Sequence, residues 1–196
     1  MRTSSAILSA FCLACVLACS SSPEPDSDAV DAALARADAA AKALMKSLGG
    51  ALMATLEEGG PDAAIQVCAR IAPERAAEIS DEFGLDISRT ALRWRNPANA
   101  PDEYERAWME AAESHYIETG LAPEPSSAIV ESDGAYELRY LLPLRLAGPC
   151  LQCHGSAEDL SSEVLATLVQ HYPDDRATGF AVGDLRGIVT VRVPLD

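Results

Sequence analysis

The run Cys150-Leu-Gln-Cys-His154 constrains this chain more than any other feature of its sequence. Two thiols at this spacing can add to the two vinyl groups of one haem, and the histidine that follows directly can place its imidazole on the iron. Gly155 leaves space beside the ring. The run therefore predicts one covalent haem c, attached through Cys150 and Cys153, with His154 as an axial ligand.

Two other interpretations of the same cysteines are weaker. A disulfide or a thioredoxin-like redox pair explains both thiols, but it expects a βαβ setting and leaves the adjacent histidine incidental. A zinc site needs more ligands than the rest of the chain supplies, because one further cysteine and two histidines remain once the N-terminal cysteines are set aside. Haem attachment is the favoured interpretation.

The N-terminus has the pattern of an export signal. Arg2 precedes a short apolar stretch that ends in Val16-Leu17-Ala18-Cys19, as in bacterial lipoprotein signals, and a polar segment follows at once. We interpret residues 1–18 as a lipoprotein signal peptide, Cys19 as the lipidation site, 19–28 as a polar tether and 29–196 as one domain. Cleavage of a plain secretory signal near the same place is the alternative.

Charge and processing together set expectations for location and partners. The formal net charge is −15, and removal of the signal with its Arg2 makes the mature chain more acidic. Such a charge repels phosphate backbones, so nucleic acid is not an expected partner. The lipid at Cys19 would hold the protein on the periplasmic side of the envelope, at the outer membrane because Ser20 follows the cysteine. The acidic surface could steer a basic redox partner, although a solvated surface is the commoner reason for such a charge; the redox or signalling partner itself is not identified by the sequence.

Removal of the signal leaves Cys68 without a disulfide partner, because Cys150 and Cys153 belong to the haem motif. Cys68 lies on an apolar helix face, where a free cysteine often serves as a small hydrophobic residue. It is also a candidate for the second axial position on the iron. The sequence offers six candidates for that position: Cys68, His115, His171, Met45, Met53 and Met109. Spacing alone places Cys68 only narrowly first.

The first third of the chain is predicted to be helical. Apolar residues recur at steps of three and four over residues 30–56, which indicates a long amphipathic helix with a bend at Gly49-Gly50. Gly59-Gly60-Pro61 should end this helix. A second helix carries Cys68 and meets Pro73, and a third segment runs to Gly84 as its C-terminal cap.

The rest of the chain mixes helices and strands. Two helices are expected, one from Asp102 to about Thr119 and one over Ser161–Tyr172. The expected strands are Ile87–Trp94, Ala128–Ser132, Tyr136–Leu146, Thr178–Val182 and Ile188–Pro194. These elements predict an α+β domain with a five-stranded antiparallel sheet.

Four stretches of the sequence resemble one known family. They are Cys68–Pro73, Arg89–Asn99 with Pro101-Asp102, Cys150–Gly155, and Tyr172–Phe180 running into Gly183–Gly187. The family comprises single-haem-c PAS-like domains, both a stand-alone cyanobacterial haem c protein and extracytoplasmic sensor domains of histidine kinases and chemoreceptors. The second and fourth stretches are the specific ones, since many unrelated proteins share the haem motif.

The resemblance implies a PAS-like fold, a five-stranded antiparallel sheet flanked by helices behind a long N-terminal helix. It also implies that His154 and Cys68 are the two axial ligands, which makes Cys68 the clear choice for the second position. A thiolate donates charge to iron and favours the ferric state, so a low potential is expected. Arg89, Arg93 and Arg95 are candidates for contacts to the haem propionates, because guanidinium groups suit carboxylates.

These features predict a non-catalytic extracytoplasmic haem lipoprotein that acts as a low-potential redox sensor or single-electron carrier. A haem-based sensor of nitric oxide or carbon monoxide, with the gas displacing Cys68, is the main alternative. An envelope thiol–disulfide oxidoreductase using Cys150 and Cys153 is a weaker one. Catalysis at the iron would need an open position, which two axial ligands deny.

Overall fold

Helices cover both faces of one antiparallel sheet in the computed structural model, which describes residues 24–132 and 134–195. In chain order the elements are α1 (Ser27–Phe83), β1 (Asp86–Thr90), α2 (Glu103–Thr119), β2 (Ser126–Ser132), β3 (Ala135–Arg145), α3 (Leu151–His154), α4 (Ser162–His171) and β4 (Leu185–Leu195). Short 3-10 turns lie at Pro97–Asn99 and Gly148–Cys150. The α+β class and the long N-terminal helix are confirmed.

The sheet has four strands in the described residues, in the order β1-β4-β3-β2, where the sequence predicted five. The predicted strand Thr178–Val182 is a loop. Its backbone groups bond to the segment after α3 and not to a sheet neighbour, since the N–H of Gly179 donates to the Gly155 carbonyl at 2.6 Å. The predicted strand over Ile87–Trp94 is also shorter and ends at Thr90.

The long helix α1 reverses direction at Gly60. This residue has φ 73° and ψ −173°, a conformation that a side chain would make costly. Arg36 Nη2 donates to the Phe83 carbonyl at 3.0 Å. These two residues lie on opposite sides of Gly60, at nearly equal distances from it along the chain. The two halves of α1 therefore form an antiparallel helical hairpin. The bend predicted at Gly49-Gly50 is helical instead, and Pro73 lies within a continuous helix.

The first half of α1 packs closely on one face of the sheet. Its alanines Ala37, Ala40 and Ala41 are fully buried and share a core with alternate residues of β3 and β4, among them Leu138 and Val191. The small alanine side chains let the helix backbone approach the sheet. Because successive side chains of a strand point to opposite faces, the remaining residues of β3 and β4 face the other side of the sheet.

Helix α2 packs on that opposite face. Its Met109 shares a core with Leu141 of β3 and with Leu185 and Ile188 of β4. Asp102 accepts from the Glu105 N–H at 2.8 Å and Glu105 reciprocates, which is a capping box, and Gly120 ends the helix with φ 70°. The predicted start and end of this helix are confirmed.

The predicted signal peptide and Cys19 lie outside the described residues. Helix α1 begins at Ser27, which is inside the stretch interpreted as the tether. Among residues 24–132 and 134–195 no helix combines the length and the apolar character needed to cross a bilayer.

Candidate functional site

Cys150 ends a 3-10 turn that runs directly into the single turn of α3, and α3 carries Cys153 and His154. Cys153 packs against a core formed by Ile65 of α1 and by α4, whereas Cys150 packs beside Ala177 and Phe180. Both thiols are partly buried, and within the described residues neither is in a disulfide. The two sulfurs and the histidine thus lie where the second half of α1 meets the loop after α4.

The loop after α4 holds His154. The ring Nδ1–H donates to the Ala177 carbonyl at 2.6 Å, and the Phe180 N–H donates to the His154 carbonyl at 2.9 Å. Because Nδ1 carries the hydrogen in this arrangement, the lone pair is on Nε2, which is the nitrogen left for a metal. Phe180 fixes the ring further by an edge contact, with centroids 6.2 Å apart and planes at 86°.

The His154 ring is neutral in this environment. Burial, together with the nearby cations Arg95 and Arg186, lowers the pKa of His154 to about 3. Metal binding requires the neutral imidazole, so no proton has to be displaced from the ligand nitrogen at neutral pH.

Arg95 ties the motif to the same loop. Its Nη2 donates to the Cys153 carbonyl at 2.6 Å and to the Ala177 carbonyl at 3.2 Å, while Nε donates to the Asp175 carboxylate at 3.1 Å. Arg95 and Asp175 are both about one-tenth exposed, so this is a buried ion pair. Arg95 thereby braces the carbonyl that orients His154.

Cys68 lies on the second half of α1 and faces a cavity of about 140 Å³. The wall is mostly apolar, with residues of α1 and Leu144 of β3, and Arg89 of β1 adds one cation. Burial raises the pKa of the Cys68 thiol, and Arg89, Arg95 and Arg186 oppose that effect. The Cys68 and Cys153 thiols also influence each other electrostatically, so the cavity adjoins the motif.

The other candidates for the second axial position are distributed differently. His115 and His171 are exposed, and Met53 is 44% exposed. Met109 belongs to the core on the α2 face of the sheet, away from the cavity. Met45 lines the same cavity as Cys68. The structure thus brings Cys68 close enough to Cys153 for their charges to interact and leaves His115 and His171 at the surface.

The arginines named from the sequence have three different environments. Arg95 is engaged by Asp175 and two carbonyls, as described. Arg93 is exposed and lies over the Phe180 ring at 3.8 Å. Arg89 lines the cavity with Cys68. Sequence reasoning missed Arg186 of β4, a fourth arginine whose charge acts on both His154 and Cys68.

The loop that holds His154 was also missed, because Thr178–Val182 resembles an apolar strand locally. The signal that could have identified it is Asp175, whose Oδ1 accepts from the Ala177 N–H at 2.7 Å. An aspartate that bonds a backbone N–H two residues ahead is typical of a turn.

Comparison with known proteins supports one assignment. The crystal structure of the cyanobacterial haem protein Tll0287 is similar to this fold, with a TM-score of 0.60, 23% sequence identity, and coverage of 87% of this chain and 98% of that one. No curated protein sequence matches the chain. The model of the Tll0287-like family matches residues 23–194, nearly the whole chain. On that match, this protein is a member of the Tll0287-like family.

Proposed function

We propose that this chain binds one haem c, attached covalently through Cys150 and Cys153, with His154 and Cys68 as the axial ligands. The observation that carries the proposal is the fixed tautomer of His154: its Nδ1–H donates to Ala177, and a neutral Nε2 is left beside two free thiols. The similar crystal structure is that of a haem protein, and family membership makes the same cofactor class the natural candidate here.

The residues present fit a haem by their chemistry. Two thiols supply thioether bonds, an imidazole supplies a nitrogen ligand, and Cys68 lines a mostly apolar cavity, whose wall matches the apolar character of a porphyrin ring. A thiol–disulfide enzyme fits less well, because it gives the imidazole of His154, held through Nδ1 by the Ala177 carbonyl, no role. Burial also raises the pKa of the Cys153 thiol, whereas reactive thiols need a lowered one.

Ligation by Cys68 sets the expected electronic behaviour. The iron of a bound haem supplies one-electron chemistry, and an anionic sulfur ligand stabilises the ferric state relative to a neutral ligand such as methionine. The chain's own contribution is to exclude water with the α1 hairpin and to fix the imidazole through the loop after α4. These properties suit a low-potential redox sensor or single-electron carrier with no catalytic role.

We extend the proposal to the location of the protein. Covalent haem c is made outside the cytoplasm, which agrees with the lipoprotein signal that ends at Cys19. The protein would then be lipid-anchored on the periplasmic side of the envelope and would exchange electrons or signals with a separate partner protein.

Expression with haem c maturation factors tests the cofactor. We expect a Soret band, a pyridine haemochrome spectrum of haem c, and a mass increase equal to one haem. Replacement of both motif cysteines by serine should abolish the mass increase. A colourless product from a maturation-competent host would refute the assignment.

Replacement of the proposed second ligand tests the ligation. Cys68→Ala should remove the thiolate-type ferric spectrum and raise the potential, because the anionic donor is lost. His115→Ala and His171→Ala are matched controls, since both histidines are exposed, and they should leave the spectrum unchanged. A wild-type spectrum in Cys68→Ala would place the ligand elsewhere. Spectra of the reduced protein with carbon monoxide and nitric oxide would show whether gas displaces Cys68.

A further inference from the structure

Four arginines surround the candidate haem site, and within the described residues only one of them has a carboxylate partner. They are Arg89, Arg93, Arg95 and Arg186. Arg95 forms the buried ion pair with Asp175. Arg93 is exposed, stacks on Phe180 at 3.8 Å and donates through Nε to the Arg176 carbonyl at 3.2 Å.

Arg89 and Arg186 differ from these two. Within the described part of the chain, the side chain of Arg89 makes neither a hydrogen bond nor an ion pair, although it lines the same cavity as Cys68. Arg186 donates one hydrogen bond, from Nη1 to the Arg93 carbonyl at 3.1 Å, and lies 5.8 Å from the Phe180 ring centroid. No carboxylate in residues 24–132 or 134–195 lies within 4.0 Å of either guanidinium.

Such an arrangement costs free energy. A cation that is enclosed by protein without an anionic partner loses hydration that nothing replaces. Burial lowers the pKa of Arg89, and burial together with the neighbouring cation Arg95 lowers that of Arg186 to about 10, with Asp175 opposing the shift. The chain is strongly acidic, yet among the described residues no carboxylate lies within ion-pair distance of either guanidinium, and Asp175, the acid whose charge acts on Arg186, is paired with Arg95.

We infer that Arg89 and Arg186 bind the negative charge of the assembled haem site. Neither guanidinium has a carboxylate partner among the described residues, because each pairs with an anion that is present only when the haem site is complete. This inference rests on the proposed haem binding. The charge has two chemical sources, the propionate carboxylates of the haem and the thiolate of Cys68, and both suit a guanidinium.

The position of the two cations favours a role in the redox balance of the site. Arg89 lines the cavity with Cys68 and is the strongest cationic influence on that thiol, and the charge of Arg186 acts on both Cys68 and His154. Positive charge close to iron stabilises its reduced state. The pair therefore opposes the potential-lowering effect of a thiolate, and its removal should make the potential more negative.

The test uses the holoprotein with Arg89→Gln and Arg186→Gln, each compared with a lysine variant at the same position. We expect the glutamine variants to shift the midpoint potential to more negative values, by at least a tenfold change in the reduced-to-oxidised ratio, or 59 mV for one electron. The lysine variants should retain most of the wild-type potential. Arg106→Gln, an exposed arginine of α2, is the control and should cause no shift.

A second set of variants distinguishes the source of the negative charge. Arg89→Gln is therefore also measured in a Cys68→Met background. A shift in midpoint potential that persists there assigns the anion to the propionates, and a shift that disappears assigns it to the Cys68 thiolate. Potentials equal to wild type in both glutamine variants would overturn the inference while leaving haem binding intact. If a glutamine variant is recovered without haem, the lysine variant decides: a normal potential supports the pair, and a strong negative shift refutes it.

Discussion

Two arginine clusters in this protein differ in how their charge is balanced. On the α2 face of the sheet, Arg139 and Arg192 lie directly opposite each other on β3 and β4, an unfavourable pairing of like charges. Asp102 resolves it, since its Oδ2 accepts from Arg139 at 2.6 Å and from Arg192 at 2.8 Å. Glu105, only 2% exposed, adds a second carboxylate at 3.1 Å from Arg139.

The cluster around His154 has the opposite character. One carboxylate, Asp175, lies within ion-pair distance of Arg95, and Arg89 and Arg186 have none among the described residues. The first cluster is complete within the protein and holds α2 on the sheet. On our inference, the second is completed by the haem propionates or by the Cys68 thiolate, so the charge balance would separate a structural network from a ligand site.

Removal of Arg139 should have the largest effect on stability. Arg139→Met leaves Glu105 buried without its cation and Asp102 with one partner fewer, which should cost about 3–5 kcal/mol of the free energy of unfolding. Urea unfolding of the holoprotein measures the change. A double variant, Arg139→Met with Glu105→Gln, should recover part of the loss, and an equal or greater loss in the double variant would contradict this account.

Removal of Arg95 should cost somewhat less stability but should affect the haem more. Arg95→Met leaves Asp175 and the Cys153 and Ala177 carbonyls without their donor, for a loss of about 3 kcal/mol. His154 also loses the brace on its orienting carbonyl, so haem content should fall. Arg95→Lys is the matched control: it retains the charge but cannot span the three acceptors, and only partial rescue is expected. Normal haem content in Arg95→Met would show that the loop holds His154 without Arg95.

Neutralising Asp102 should have a smaller, pH-dependent effect. Burial would raise the pKa of Asp102, but the Glu105 N–H and the cations Arg139 and Arg192 hold it below its usual value. Because the pKa is lower in the folded state, the ionised carboxylate stabilises the fold at pH values above the unfolded-state pKa, which is near 4. This stability is lost as the pH falls through the folded-state pKa. Asp102→Asn retains the helix cap and should cost about 1–2 kcal/mol at pH 7.

The difference between wild type and Asp102→Asn should therefore shrink as the pH falls below about 4. Urea unfolding at neutral and acidic pH measures both values. A difference that does not change with pH would assign the effect to geometry and not to charge.

The smallest effect is expected for an arginine in neither cluster. Arg75 pairs with Glu78 at 2.6 Å on the surface of α1, where the side chains are 47% and 60% exposed. Arg75→Gln should change the free energy of unfolding by less than about 0.5 kcal/mol. A larger loss would mean that exposure is a poor guide to the value of an arginine pair in this fold.

Features that depend on neighbouring residues were readable from the sequence. The haem motif, the capping of α2 by Asp102 and Gly120, and the end of α1 at Gly84 follow from short patterns with direct physical causes. The break at Gly59-Gly60-Pro61 was also predicted, and Gly60 takes φ 73° there. The bend predicted at Gly49-Gly50 was wrong: both glycines stay helical, since a glycine lowers helix stability by only about 1 kcal/mol and packing of the helix can offset that cost.

By itself, the sequence determined the chemical groups of this protein: two thiols and an imidazole in one short run, a further cysteine at position 68, and helices followed by antiparallel strands. Tertiary structure decided how those groups are used. It made Thr178–Val182 a loop beside His154 instead of a fifth strand, and among the described residues it gave Arg95 a carboxylate while leaving Arg89 and Arg186 without one. The reason is that hydrogen bonding and charge compensation depend on distances across the fold, which residue spacing does not encode.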